Sequence, residues 1–137
     1  MNNTTTLQYN PLLPLVGRIF LGALFVVAGY GKLTGFAAFA GYLAKLGFPA
    51  PEAMAVLAIL FELGGGILLI IGWQTRWVAW ALIVFVAVAT FAAHRFWDFD
   101  AAQRTMQMTQ FLKNLAIVGG FMLLAVHGPG RYAIGRG

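Results

Sequence analysis

The sequence predicts an all-α, polytopic integral membrane protein, an antiparallel bundle of four transmembrane helices with a short interfacial helix after the first span. Three observations carry this reading. Of the 137 residues, 61% are hydrophobic and only 9% charged, far from the roughly 25% charged residues of a soluble domain. Four apolar segments approach about 20 residues each, the length that crosses a ~30 Å hydrocarbon layer at 1.5 Å rise per residue. The links between them are short, which makes sequential helices antiparallel neighbours. A polar tail, residues 1–11, thus precedes a single transmembrane domain over residues 12–134.

Charge and cysteine content narrow the function classes. The net charge is +5, but the nine Lys/Arg are spread singly from Arg18 to Arg136. Nucleic-acid binding needs them clustered, so no nucleic-acid partner is expected and the bilayer is the expected surrounding. With no cysteine, disulfides, thiolate metal sites and dithiol chemistry on this chain are excluded.

Taken in order, residues 1–11 lack the positive n-region of a signal peptide. The apolar run that follows is too long for an h-region and has no A-x-A site, so no cleavage is expected. The first span covers residues 12–33. Within it Arg18, Gly22, Phe25, Gly29 and Lys32 recur at steps of four and three, one helical stripe. A stripe with glycines between two cations is a face packed on protein rather than lipid. Residues 34–49 are too short to cross. Phe36, Phe39, Leu43 and Leu46 share a face there, Thr34 stands where a cap would, and Gly47 with Pro49 ends the segment. This is the interfacial helix.

The second span, 51–73, opens on Pro51, suited to a first helical turn. It carries Glu62 near its middle. A carboxylate at that depth costs roughly 2.5–3.5 kcal/mol on insertion scales, so it must face other helices. Ala55, Ala58, Gly65 and Gly66 lie on the same face as Glu62, and small residues admit a neighbouring backbone closely. A tight turn through Arg76 leads to the third span, 77–94. Trp73, Trp77 and Trp80 mark a membrane interface there. Residues 95–108 form the most polar loop. Asp98 and Asp100 flank Phe99 and read as solvated charges paired with Arg95, since a divalent cation needs more oxygen ligands than are apparent. No metal site is expected. The fourth span, 109–127, carries Gln110, Lys113, Asn114 and Ile117 on one stripe. Gly128, Pro129 and Gly130 then break the helix.

The depths of the polar residues define a candidate site. Lys32, Glu62, His94, Lys113 and Asn114, drawn from all four spans, line one polar cavity, with Glu62 as candidate proton group. Arg18, nearer the opposite surface, competes with the lysines as partner of Glu62 and belongs to the same candidate set. Lys32 can alternatively snorkel to the interface. Buried ion pairs can also do no more than fix helix register, so a structural network and a ligand cavity both stand. Loop charges, three against three, leave the orientation open. His94 and His127 fall at opposite membrane faces and cannot sandwich one haem.

The motifs also resemble those of a known family. Gly17-Arg18, Gly29-Tyr-Gly-Lys32, Phe61-Glu62-Leu-Gly-Gly-Gly66, Thr75-Arg76, Lys113-Asn114-Leu115 and Gly128-Pro-Gly-Arg-Tyr132 resemble, in order and spacing, the DoxX family, over about residues 12–134. The resemblance implies a four-helix bacterial inner-membrane protein with cytoplasmic termini. It also implies involvement in redox matters, since relatives are linked to thiosulfate:quinone oxidoreduction, quinone resistance and oxidative-stress complexes; more distant relatives include eukaryotic cargo receptors. The family supplies no agreed catalytic residues. The expected role is an accessory or subunit of a membrane redox system touching the quinone pool. It would have no intrinsic cofactor, quinone as the ligand, and a protein partner or second copy beside it. A non-enzymatic assembly protein is the alternative. A small-solute transporter fits less well, because the halves show no inverted repeat.

Overall fold

In lipid every backbone N–H and C=O must be satisfied internally, and the computed structural model, which describes residues 10–135, is correspondingly all-helical. Helix α1 runs Leu12–Thr34, α2 Phe36–Lys45, α3 Pro51–Ile71, α4 Thr75–Ala93 and α5 Ala101–His127. The segments built on α1, α3, α4 and α5 are each long and apolar enough to cross a membrane. Residues 1–9 of the polar tail lie outside the described residues.

The helices associate as two antiparallel pairs, α1 on α3 and α4 on α5. Between α1 and α3 the buried residues of α1 are Arg18, Gly22, Phe25 and Gly29, the stripe that the four-three spacing marks as protein-facing. Gly22 and Gly66 meet backbone to backbone. A Cβ built on Gly22 would lie 2.6 Å from the Gly66 carbonyl oxygen, and one on Gly66 would lie 2.7 Å from that of Gly22. Two aromatic contacts tie the pairs together. Phe25 meets Phe121 at 5.4 Å between centroids, and Phe61 stacks on Phe85 at 5.6 Å. Leu69, Leu82 and Phe121 fill the centre, essentially without exposure.

Several boundaries differ from the sequence expectation. Helix α3 stops at Ile71, not 73, because Gly72 takes φ +76° and closes a Schellman turn. The Trp73 N–H reaches the Leu68 carbonyl and the Gly72 N–H that of Leu69. Gly47, at φ +82°, ends α2 in the same way. Thr34 does not cap α2, since its hydroxyl donates back to the Tyr30 and Gly31 carbonyls. The largest difference is α5, which begins at Ala101 rather than 109 and absorbs most of the expected polar loop. At 27 residues it is about 40 Å long, so its polar first turns extend beyond the length that the hydrocarbon layer requires.

The start of α5 is fixed by Asp100, whose Oδ1 accepts from the Gln103 N–H at 3.0 Å. Asp100→Ala is expected to cost about 1 kcal/mol as a lost N-cap. Hydrogen exchange checks this: the Gln103 amide should exchange faster while core amides are unchanged. Before α5, Arg95 and Asp98 pair at 3.1 Å, about half exposed, as expected of solvated loop charges, whereas Asp100, expected to share that pairing, caps α5 instead.

Helix α2 is amphipathic. Ala40 and Leu43 are buried against Ala55 of α3, with Phe36, Phe39, Phe48 and Met54 packed around them. Leu46, expected on this face, is exposed. The helix thereby lies across the start of α3, beside one end of the bundle.

Candidate functional site

Glu62 sits in a π-helical turn, Leu60–Gly64, within α3. Such a turn inserts one extra residue into the helical ladder and re-aims the side chains it carries. Glu62 is 6% exposed, at a place where Gly29 of α1 comes close. A Cβ on Gly29 would lie 2.9 Å from the Leu63 backbone nitrogen and 3.0 Å from Glu62 Cβ. One turn further along α1, Lys32 Nζ donates to both Glu62 carboxylate oxygens, at 2.9 and 2.8 Å. Lys32 Nζ also stands 5.3 Å from the centroid of the Phe39 ring of α2, a cation–π contact. Of the three cations that compete for Glu62 on sequence grounds, Lys32 holds it, and it does so as a fork rather than by snorkelling away.

The pair closes one side of a cavity of about 400 Å³ bounded by all five helices. Lys32, Glu62, His94, Lys113 and Asn114 all line it, among apolar walls that include Phe61 and Phe85. Its polar groups are held by short bonds between α4 and α5. Asn114 Nδ2 donates to Thr90 Oγ1 at 2.9 Å, and that hydroxyl donates to the Val86 carbonyl at 2.6 Å. His94 Nδ1 and Gln107 Oε1 lie 2.7 Å apart, within hydrogen-bond reach. Lys113 is exposed and donates to Gln110. Several apolar wall residues, among them Leu24, Leu57, Phe61 and Val88, are themselves exposed on the bundle exterior. In a membrane the cavity therefore borders the acyl chains.

Arg18 is not part of this cavity. It is 1% exposed at the other end of α3. There Nη1 donates to the Leu69 and Ile70 carbonyls, both at 3.1 Å, and Nη2 donates to the Tyr132 carbonyl. Arg76 does the same for α5, with Nη1 at 3.2 Å from the Ala125 and 2.9 Å from the Val126 carbonyl oxygen. Cations over the last carbonyls satisfy orphan acceptors and meet the negative end of the helix dipole. Their place near the ends of α3 and α5, not a carboxylate, sets their role.

Sequence reasoning missed Thr90 as a partner of Asn114, Gln107 as the partner of His94, and the π turn. Gln107, Gln110 and Asn114 recur at steps of three and four, a legible polar face. Starting the fourth span at 109 hid its first member.

Fold and site together define a four-helix membrane protein with a buried ion pair beside an apolar, lipid-bordered cavity. The chain belongs to the DoxX family, whose profile it matches over residues 13–95. It is 34% identical to the inner membrane protein YphA of Escherichia coli over 126 residues, 92% of this chain and 90% of that protein. It is 40% identical to the E. coli inner membrane protein YqjF over 122 residues, 89% and 88% of the two chains. A Surfeit locus protein 4 homolog of Schizosaccharomyces pombe is 29% identical over 70% of this chain, which spans 32% of that protein. No solved structure matches the chain.

Proposed function

We propose that the cavity holds the head group of a quinone and that the protein is an accessory of a redox system in the bacterial inner membrane, with cytoplasmic termini as the family resemblance implies. The observation that carries this reading is the cavity's composition: apolar and aromatic walls that border lipid, with polar groups gathered at one side. Ligand sites of about 300–1,000 Å³ combine an apolar lining with a few placed polar groups. A quinone head group is flat, carries two carbonyl acceptors and arrives through the bilayer. The cavity of about 400 Å³ offers Lys32, Lys113 and Asn114 as donors near Phe61 and Phe85. Glu62, tied to Lys32, would exchange a proton with a bound ligand. Electrons would come from a partner chain on this reading. The location is supported by the two E. coli relatives, which bear the name inner membrane protein.

The test is solvent extraction of the full chain purified in mild detergent from its own membranes. Near-stoichiometric quinone is expected, lost in Glu62→Gln while the protein still folds. Quinone absent from the native protein would remove the proposal.

A second reading, the non-enzymatic assembly protein, is favoured by one observation. The polar side chains of the cavity are already partnered within the chain, both oxygens of Glu62 included. On that reading Glu62→Gln fails to fold, and the native protein carries a partner chain instead of quinone.

A further inference from the structure

The four acidic residues of the chain all stand away from the end where α3 stops and α4 begins. Glu62 is paired with Lys32. Glu52 lies in the first turn of α3, and Asp98 and Asp100 lie between α4 and α5, at the opposite end of the bundle. The α3–α4 end carries Arg18, Arg76, His127 and Arg131. Arg18 and one nitrogen of Arg76 are committed to backbone carbonyls. Among the described residues, Arg76 Nε and Nη2 and the side chains of His127 and Arg131 make no hydrogen bond, Arg76 donating through Nη1 alone.

These free groups face a common space. Arg76, His127 and Arg131 line an open concavity of about 510 Å³, together with the chain from Gly128 to Gly135. That segment is pinned rather than trailing. The Ile134 N–H donates to the Ile71 carbonyl at 3.1 Å, the Gly135 N–H to that of Gly72 at 3.2 Å, and Arg18 holds the Tyr132 carbonyl. Trp73, Trp77 and Tyr132 are exposed at the same end, the signature of headgroup depth. Two arginines and a histidine on a fixed backbone, with no Asp or Glu side chain beside them among the described residues, have the chemistry of a phosphate receptor.

We propose that this concavity binds a phosphate group, carried by the headgroup of an anionic phospholipid. The site is separate from the Lys32–Glu62 cavity and does not depend on what that cavity holds. Interfacial basic pockets of this kind discriminate lipids by net charge. A zwitterionic phosphatidylcholine, whose phosphate is offset by its own cation, should be taken less well.

The test is native mass spectrometry of the full chain in mild detergent, titrated with phosphatidylglycerol or phosphatidylcholine. Phosphatidylglycerol should be retained in preference. Arg131→Gln, at an exposed position, should lower that preference about fivefold, the share of one cation at an anionic surface, with the melting temperature unchanged. Equal retention of the two lipids, or an unaltered preference in Arg131→Gln, overturns the site. Added inorganic phosphate separates the sources. Phosphatidylglycerol that stays bound supports the lipid, and complete displacement overturns the lipid in favour of free phosphate.

Discussion

Gly66→Ala is expected to cost about 3 kcal/mol, the upper end of overpacking penalties, and to lower the melting temperature more than any other single methyl added to α3. The new Cβ would lie 2.7 Å from the Gly22 carbonyl oxygen and 3.0 Å from the Val26 backbone nitrogen. Neither atom can rotate away, so α1 and α3 must separate. Separation weakens what lies along the same seam: Gly29 against Glu62 and Leu63, and the Lys32–Glu62 fork one turn further on. Between helices in lipid, close packing is the main attraction available, so a seam opened at its tightest point has little to replace it. Gly119 of α5 supplies the control. A Cβ there meets nothing within 4 Å, and Gly119→Ala should be neutral or gain up to about 1 kcal/mol from helix propensity. Thermal unfolding of both variants in one detergent, followed by tryptophan fluorescence, gives the comparison. A Gly66→Ala protein that melts with the native one would show that the seam is not what holds α1 to α3.

That seam is also where the sequence was most legible. Arg18, Gly22, Phe25, Gly29 and Lys32 share a stripe because helical periodicity is a property of the chain alone, and a glycine on a stripe leaves a mark that no solvent-facing pattern imitates. Glu62 was legible for a related reason, since a lone carboxylate within an apolar span must find a partner. Its partner was not legible. Lys32 and Arg18 stand on the same stripe of α1, and the three-dimensional register, with the π turn at Leu60–Gly64, decides for Lys32. Arg18 was misplaced because the signal of a buried arginine is the same whether it meets a carboxylate or the carbonyls ending a helix. The latter are backbone atoms with no sequence signature. The start of α5 was obscured by polarity. Gln103, Arg104 and Gln107 read as loop by hydropathy, yet all three are good helix formers behind the Asp100 cap, and a helix that outruns the bilayer can be polar where it leaves it.

Breaking the ion pair from one side and removing it whole should have opposite outcomes. Lys32→Met leaves the Glu62 carboxylate buried without a cation. It should destabilise the protein by about 3 kcal/mol, the low end for a broken buried pair. The low end applies because the pair is only partly buried, the Lys32 side chain being 28% exposed against 8% for Glu62. Lys32→Met combined with Glu62→Leu removes both charges and keeps the volume. Such replacements are often neutral or stabilising, and the double variant should melt within about 1 kcal/mol of the native protein. With Glu62→Leu measured alone as well, the cycle gives the coupling energy, the double variant's change less the sum of the two single changes. The double variant's stability decides what the pair is for. A double variant as stable as the native protein, yet holding no quinone, places the value of Lys32 and Glu62 in what they bind, since the fold has no need of them. A double variant that fails to fold assigns the pair to the bundle itself, as the register device that brings α1 and α3 together at the π turn.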